Sequence, residues 1–507
     1  MKHIFFSILL LFFSIQLFSQ RIELTKEQMY EDFDEFYSII KDVNPQLTVR
    51  KKVTGIDILS EIKKTRQSID TISNTSYFIK LLLDNLKMCN DMHNVFITGE
   101  RVVSILNDDM LKLSKFEKLY NQTDEDFAPF LQDYIPLPFF LDYYKGNYYN
   151  IGSFKIKTEE VLDSIPQSAK IIAINDIAID SVLRFSFKYN SDLRSNWDRK
   201  QKRAFFIIRA GNVLVERRDT ITVKYKYKGT NHIFHYYESK SKWLLANGGY
   251  FFNTAKDGYV DYFPESNILY IRLPQMSNDK FYIKDIIKKG KDVPLKKVVI
   301  DIRQNGGGAD YVWMNILSTI INKPLDIRAT IGYKNTNRVI EALELDKDSV
   351  EITKVPLLDN EEFGTLTWGK IIEPSDSSLN FGGKIYILQD RLIFSSAGSL
   401  SNVAKMSDNI ISIGETTGNL LGFGIAPISF VLPNSLFIFQ LEPVLDLSNV
   451  NSIYDFYHDN VEIPVEISVE QRVKYFNNYN PNQAKGIYSK DYLYNHDPVF
   501  QKVLKLK

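Results

Sequence analysis

The chain of 507 residues carries 62 basic and 62 acidic side chains, and this balance excludes the strongly basic surface of a nucleic-acid-binding protein. A single cysteine, Cys89, excludes an intrachain disulfide, so apolar cores rich in the 34 Phe and 29 Tyr must stabilise the fold. The length corresponds to about two to four domains.

The N-terminus has the layout of a signal peptide. Lys2 precedes an apolar run, Ile4–Phe18, and Ser19-Gln20 comes before a charged segment. The run is too short for a stable membrane anchor, and no other stretch approaches a spanning length. We therefore predict a signal peptide over residues 1–20 and an exported protein, periplasmic or extracellular, without a membrane anchor. The alternative is a buried N-terminal helix.

An α-helical region is predicted next, over residues 21–130. Apolar residues recur at helical spacing, beginning with Met29, Phe33 and Phe36. The helical pattern ends near Asp91-Met92-His93-Asn94, and the residues from there to about 130 are polar and connecting.

The pattern then changes to β over residues 131–245. The segment 169–179 predicts a strand, a tight Asn175-Asp176 turn and a second strand, and it resembles the corresponding hairpin of PDZ domains. That resemblance implies a PDZ-like domain, which would bind peptide at a sheet edge. An ordinary hairpin in a small β domain is the alternative. An α/β segment follows over residues 255–470, and residues 471–507 form a tail without a clear period.

Two segments of the α/β region carry the chemistry. The first, residues 297–308, predicts a buried strand running into a triple-glycine turn. The second, residues 394–399, places Ser396 between a strand and a helix that begins near Ala397, where it would cap that helix. Free backbone N–H groups in a turn and a serine at a helix N-terminus are the two halves of an acyl-transfer site, although each alone is common in structural roles. We therefore predict Ser396 as the nucleophile. The predicted oxyanion donors are Gly306, Gly307 and Ala397.

These segments resemble the signatures of the S41 serine peptidases, the C-terminal-processing and tricorn-core peptidases. Asp301-Ile302-Arg303-Gln304-Asn305-Gly306-Gly307-Gly308 is similar to their DLRxNGGG signature. Phe394-Ser395-Ser396-Ala397-Gly398-Ser399 is similar to their TSSAxE nucleophile segment, and Gly414-Glu415-Thr416-Thr417-Gly418 to their GExTxG strand end. The resemblance implies an α/β fold with a ClpP/crotonase-like catalytic domain of stacked β-β-α units, preceded by an N-terminal helical region and a PDZ-like β domain.

The resemblance also implies where the catalytic base lies. Processing proteases of the family use a lysine just after the GExTxG strand end, but Asn419-Leu420-Leu421-Gly422-Phe423 contains none. Tricorn-like members use a histidine from the N-terminal helical region, and Asp91-Met92-His93-Asn94 occurs where that motif falls. His93 is therefore the predicted base. The resemblance further implies an acidic orienting residue, Asp455 or Asp459.

The predicted function is an exported serine endopeptidase that hydrolyses peptide or protein substrates through an acyl-enzyme. No metal or cofactor is predicted, because the sequence has no His-Glu-x-x-His run or clustered ligand set. Ser399 replaces the usual glutamate three residues after the nucleophile, which leaves open a catalytically inactive S41-like protein that binds a peptide or a small apolar ligand. An acyl-CoA enzyme of the crotonase type would share the oxyanion chemistry, but the predicted export and the serine placement argue against it. The oligomeric state is left open.

Overall fold

A computed structural model describes residues 23–89, 91, 93–97, 134–137, 139–153, 155–157, 162–163, 165–189, 194–207, 213–237, 242–244, 258–416, 427–448, 450–457, 461–478 and 486–506. The predicted signal peptide lies outside these residues, as do Asp459 and the segment Asn419–Phe423, which contains no lysine. Within the described ranges, no helix is both long enough and apolar enough to cross a bilayer.

Within the predicted helical region 21–130, the structure describes helices over residues 26–88. Thr25 caps the first helix in a capping box with Gln28, and the apolar stripe that includes Met29, Phe33 and Phe36 is buried. Phe36 packs against Phe439 of the α/β region, with ring centroids 5.1 Å apart, so these helices share a core with the region that follows. The helices are α1 (Lys26–Val43), α2 (Leu47–Thr54), α3 (Ile58–Thr65) and α4 (Thr75–Met88).

The middle region is built from β-strands and one helix. The predicted hairpin is confirmed: Asn175 and Asp176 form its turn with φ values of 49° and 65°, as a tight two-residue turn requires. A PDZ-like identity for this region stays a prediction. Its helix is α5 (Ile179–Tyr189). Its strands are β1 (Tyr134–Pro136), β2 (Phe139–Tyr144), β3 (Asn147–Ser153), β4 (Lys155–Lys157), β5 (Leu162–Asp163), β6 (Lys170–Ile174), β7 (Ile177–Ala178), β8 (Arg194–Asp198), β9 (Arg203–Ile207), β10 (Leu214–Glu216), β11 (Thr220–Tyr227), β12 (Thr230–Tyr237) and β13 (Lys242–Leu244).

The central sheet of the α/β region is mostly parallel and is covered on both faces. Its strand order is β14-β15-β16-β22-β23-β27, and only the β14–β15 pair is antiparallel. These strands are β14 (Tyr259–Phe263), β15 (Ile268–Arg272), β16 (Lys297–Asp301), β22 (Lys384–Gln389), β23 (Ile410–Gly414) and β27 (Ile463–Pro464). The helices in this part of the chain are α6 (Asp279–Gly290), α7 (Asp310–Ile320), α8 (Asn337–Ala342) and α9 (Ser396–Asn402).

Alternation along β16 explains how both faces are filled. Val298 and Ile300 point into the core that contains α6, α7 and α9, whereas Val299 points to the opposite face. A strand buried on both sides has a continuous apolar sequence, and residues 298–300 of β16 form such a run between Lys297 and Asp301. The carboxyl ends of β16 and β22 therefore reach the same edge of the sheet, where the two predicted catalytic segments begin.

A second set of strands packs beside this sheet and against the N-terminal helices. Four of them form a sheet in the order β19-β20-β18-β26, and β24 pairs with β25. The strands are β17 (Leu325–Asp326), β18 (Ala329–Lys334), β19 (Glu351–Val355), β20 (Glu361–Trp368), β21 (Ile371–Ile372), β24 (Ile428–Val431), β25 (Ile438–Leu441) and β26 (Val444–Asp446). Short 3-10 helices lie at Arg66–Thr71, Lys347–Ser349, Pro356–Leu358, Val403–Met406, Asp455–Tyr457 and Gly486–Tyr488.

The tail contains helices that the sequence pattern did not reveal. They are α10 (Val469–Asn478), α11 (Lys490–Asn495) and α12 (Pro498–Lys505). Helices of six to ten residues contain too few turns to establish a period, yet α12 has a strong cap at Asp497 and buries Val499, Phe500 and Val503 against the central sheet. Phe476 of α10 packs directly on Gly152 of β3, so the tail joins the middle region to the sheet.

Candidate active site

The turn after β22 presents Ser396 at the start of α9. Ser395 occupies the N-cap position and adopts φ 54° and ψ −125°, a conformation rare for a residue with a side chain. The prediction that Ser396 caps this helix is therefore wrong by one position, because Ser396 is its first residue. The Ser396 side chain is buried, and its Oγ has no hydrogen-bond partner among the described residues.

Asn305 holds the glycine turn and the serine turn together. It is completely buried; its Nδ2 donates to Leu273 O at 2.8 Å, and its Oδ1 accepts from Gly307 N at 2.8 Å. Its backbone oxygen accepts from Phe394 N at 3.0 Å, two residues before Ser396. Asn305 therefore fixes the position of one turn relative to the other.

Gly307 is the point of closest approach between the two turns. Its φ is +97°, and a Cβ added there would lie 2.7 Å from Phe394 O and 2.8 Å from Ser395 Cβ. Only glycine fits both this conformation and this space. Ser396 N lies 3.2 Å from the same added atom, so the glycine turn passes directly beside the predicted nucleophile.

The three predicted oxyanion donors differ in their present hydrogen bonds. Gly307 N donates to Asn305 Oδ1 at 2.8 Å, and Ala397 N donates to Phe394 O at 3.2 Å. Gly306 N has no acceptor within the described part of the chain, and the space beside Gly306 is open. Of the three, the Gly306 N–H group is therefore best placed to donate to a new acceptor without breaking an existing hydrogen bond.

Strand pairing positions His93. Residues 94–97 lie antiparallel to β25, with Ile97 N donating to Ile438 O at 2.9 Å and Gln440 N donating to Val95 O at 2.8 Å. Phe96 pairs with Phe439, and the same register continued for three residues places His93 opposite Glu442. The imidazole ring of His93 lies 4.4 Å from the ring of Phe394, measured between centroids, so the structure brings His93 to the serine turn.

Two carboxylates face Nδ1 of His93. Asp91 Oδ1 lies 3.3 Å from it and Glu442 Oε2 lies 3.6 Å from it, and both acids are buried. Burial, partly offset by the His93 charge, raises the pKa of Glu442 to about 8. Burial acts in the same direction on Asp91, but the hydrogen bonds and charge of His93 outweigh it and lower the pKa of that carboxyl. Asp91 is therefore the anionic partner at neutral pH, and a carboxylate on the Nδ1 side directs Nε2 to act as the basic atom.

Residues 267–436 match the model of Peptidase family S41, and this range contains the glycine turn and Ser396. These residues belong to Peptidase family S41, and the chain is a serine-type peptidase.

Solved structures similar to this S41 peptidase include mature CPAF, with 12% identity and a TM-score of 0.54 over 89% of this chain and 96% of that chain. A CPAF mutant is similar at 12% identity, with a TM-score of 0.56 over 95% and 98% of the two chains. Mature CPAF complexed with lactacystin gives 12% identity and a TM-score of 0.53 over 89% and 97%. At this identity the likeness concerns the fold. No curated protein matches the sequence.

Asp455, the predicted orienting acid, is placed in a turn of its own. Its Oδ2 accepts hydrogen bonds from Asn451 N at 2.9 Å, Ser452 N at 2.7 Å and Ser452 Oγ at 3.0 Å. An aspartate that accepts bonds from preceding residues in this way stabilises a turn. The acids that face Nδ1 of His93 are Asp91 and Glu442, and an orienting role for Asp455 stays a prediction.

Glu442 was missed because its distance from His93 in the sequence hides the pairing. A signal was nevertheless present, since Glu442 is the one charged residue within the otherwise uncharged run 436–445. A buried charge is retained only when it has a partner, so such a residue marks a site worth inspecting. No group of three or more His, Cys, Asp or Glu suited to a metal ion occurs among the residues that the structure describes.

Proposed function

We propose that this S41 peptidase is an exported endopeptidase with Ser396 as nucleophile and His93 as general base. The observation that carries the proposal is the position of His93, whose ring lies against Phe394 while its Nδ1 faces Asp91 and Glu442. In serine hydrolases generally, an acid on one side of a histidine orients the ring so that it can take a proton from the serine.

In the proposed reaction, His93 removes the Ser396 Oγ proton as Oγ attacks the carbonyl carbon of a peptide bond. Backbone N–H groups of Gly306 and of Gly307 or Ala397 stabilise the oxygen that becomes negative, each contributing about 3 kcal/mol of barrier reduction. The protonated His93 then donates its proton to the leaving amine, and an acyl-enzyme remains. Water, deprotonated by His93, releases the acyl group and restores Ser396.

Export is proposed from the sequence of the first twenty residues, with a basic start and an apolar run before a polar boundary. The single cysteine neither supports nor opposes this location, because a chain with one cysteine folds without an intrachain disulfide in either redox environment.

Hydrolysis of casein and of a mixed peptide library by the purified mature chain tests the proposed activity. Ser396→Ala is expected to abolish cleavage, whereas Ser399→Ala, another buried serine of the same helix, is expected to retain it. Internal cuts in the library peptides would support an endopeptidase. Equal cleavage by wild type and Ser396→Ala would refute the assignment of the nucleophile.

A non-catalytic binding protein is a second candidate, favoured by one observation. Ser396 Oγ and Ser399 Oγ both have no hydrogen-bond partner among the described residues, whereas an activated nucleophile is held by its base. Catalytic hydrogen bonds often tighten only when substrate binds, so we prefer the peptidase. Absence of cleavage together with peptide binding unaffected by Ser396→Ala would reverse that preference.

A further inference from the structure

A cavity of about 130 Å³ lies where the middle region, the sheet and the tail meet. Phe140 and Ile207 line it from the middle region, Leu392 from the turn after β22, and Val499 from α12. Val499 belongs to the core on the face of the sheet opposite to α9, whose Ala397 packs in the other core. The wall contains Gln304 and Leu392 from the two turns of the candidate site, but Ser396 itself does not line the cavity.

The guanidinium groups in the cavity wall already have carboxylate partners. Arg391 lies 2.9 Å from Asp142 Oδ1 and 2.8 Å from Glu415 Oε1, and Arg472 lies 2.6 Å from Asp142 Oδ2. Arg303, the third, bonds Asp301 and the wall residue Asp497. These pairs cancel one another's charge and leave the wall with one further acid, which is Asp390.

Asp390 makes no ion pair within the part of the chain that the structure describes, and the charges of Arg303 and Arg391 act on it only from a longer distance. Its Oδ1 accepts backbone hydrogen bonds from Gln304 N at 3.0 Å and Leu392 N at 2.9 Å, which fix the side chain at the cavity wall. A half-buried carboxylate without an ion pair is unfavourable, and a bound cation would relieve that cost.

A second acceptor lies beside Asp390. Gln304 is 6% exposed, and its Nε2 donates to Tyr475 Oη, which fixes the orientation of the side-chain amide. The other amide atom, Oε1, is buried and has no hydrogen-bond donor among the described residues. Gln304 N also bonds Asp390, so the two acceptors belong to residues in direct contact in the wall of the same cavity.

We propose that this cavity binds a primary ammonium group carried on a short aliphatic chain. An ammonium group supplies three donors and a positive charge, which complement the Asp390 carboxylate and Gln304 Oε1, while the apolar walls accept the methylene groups. A cavity of this size is comparable to an engineered one that holds benzene. The group could belong to a free alkylamine or to a lysine side chain of a peptide.

Calorimetric titration of the mature chain with n-pentylamine and with 1-pentanol tests the proposal. We expect the amine to bind roughly tenfold or more tightly than the alcohol, because a hydrogen-bonded charge is worth that ratio or more. Asp390→Asn keeps the acceptor for Gln304 N and Leu392 N and should remove the preference, whereas the exposed control Asp376→Asn should not. Equal binding of amine and alcohol, no binding of the amine, or a preference that survives Asp390→Asn would overturn the proposal.

A cavity-filling variant covers the case in which Asp390→Asn does not fold. Ile151 lines the cavity from β3 and is half-buried, so Ile151→Phe should fill it and weaken pentylamine binding at least tenfold. Unchanged binding would overturn the proposal. Titration with Nα-acetyl-lysine-N-methylamide and its norleucine counterpart distinguishes the sources: competition by the lysine compound indicates a peptide side chain, and binding of pentylamine alone indicates a free amine.

Discussion

Glu442 Oε2 lies 3.6 Å from Nδ1 of His93, although the middle region and most of the central sheet separate the two residues in the sequence. The antiparallel pairing of residues 94–97 with β25 creates this contact, and Glu442 N strengthens it by donating to Asn94 Oδ1 at 2.7 Å. The pairing of these two segments therefore fixes the position of His93, the predicted base.

Replacing His93 with glutamine should remove the general base. We expect the rate of hydrolysis to fall about 10²- to 10⁴-fold, with little change in the substrate concentration at half-maximal rate, because the group acts on the proton and not on binding. His232→Gln, a change at an exposed histidine of β12, is the matched control. Equal losses in both variants would contradict the role of His93.

Glu442→Gln should change how the free energy of unfolding depends on pH. Burial raises the pKa of Glu442 to about 8 from an ordinary value near about 4.3, so the folded protein keeps a proton that the unfolded chain loses. The free energy of unfolding of wild type therefore falls as the pH rises from about 4 to 8. The glutamine variant lacks this loss and should gain stability relative to wild type, by a few kcal/mol, as the pH approaches 8.

Urea denaturation of wild type and Glu442→Gln at pH 5, 7 and 9 measures this difference. Glu362→Gln, at an exposed glutamate of β20, is the control. Its free energy of unfolding should differ from that of wild type by the same amount at every pH. A stability difference for Glu442→Gln that does not grow with pH would show that the carboxyl ionises normally.

Gly307→Ala and Gly306→Ala form a matched pair within one turn. A methyl group at Gly307 would collide with Phe394 O and Ser395 Cβ at a φ of +97°, so we expect a loss of about 1–3 kcal/mol in unfolding free energy and of most activity. Gly306 has open space beside it, and alanine retains the N–H group proposed as oxyanion donor. Melting temperature and hydrolysis rate should therefore stay close to wild type for Gly306→Ala, and the account is contradicted if both variants behave alike.

Arg391 joins the turn after β22 to the middle region, and its loss should be costly. Its guanidinium group contacts Asp142 Oδ1 at 2.9 Å, Tyr143 O at 3.0 Å and Glu415 Oε1 at 2.8 Å. The side chains of Arg391, Asp142 and Glu415 are all largely buried. Arg391→Met would leave two buried acids to share Arg472, at a cost of about 3 kcal/mol. Arg328→Met breaks an exposed pair with Asp326 and should cost under about 1 kcal/mol by urea denaturation. Similar costs would contradict a structural role for the Arg391 contacts.

The sequence was most informative where local patterns carry the structure. The amphipathic stripe of α1, the Asn175-Asp176 turn and the apolar run of β16 each specify an element through neighbouring residues alone, and all were predicted. The short helices of the tail were missed because they contain too few turns for a period. The orienting acid was assigned to Asp455 because a contact between His93 and Glu442 depends on long-range strand register, which no local pattern records.

The measurement that tests the central claim most directly is the rate at which a fluorophosphonate labels Ser396, followed by intact mass and peptide mapping. The probe reacts with a serine only when a base activates it. We expect stoichiometric labelling at Ser396 in wild type, and a rate at least about 10²-fold lower in His93→Gln with the fold intact by circular dichroism. Absence of labelling in wild type, or equal rates in the two proteins, would contradict the assignment of His93 and Ser396 as a catalytic pair.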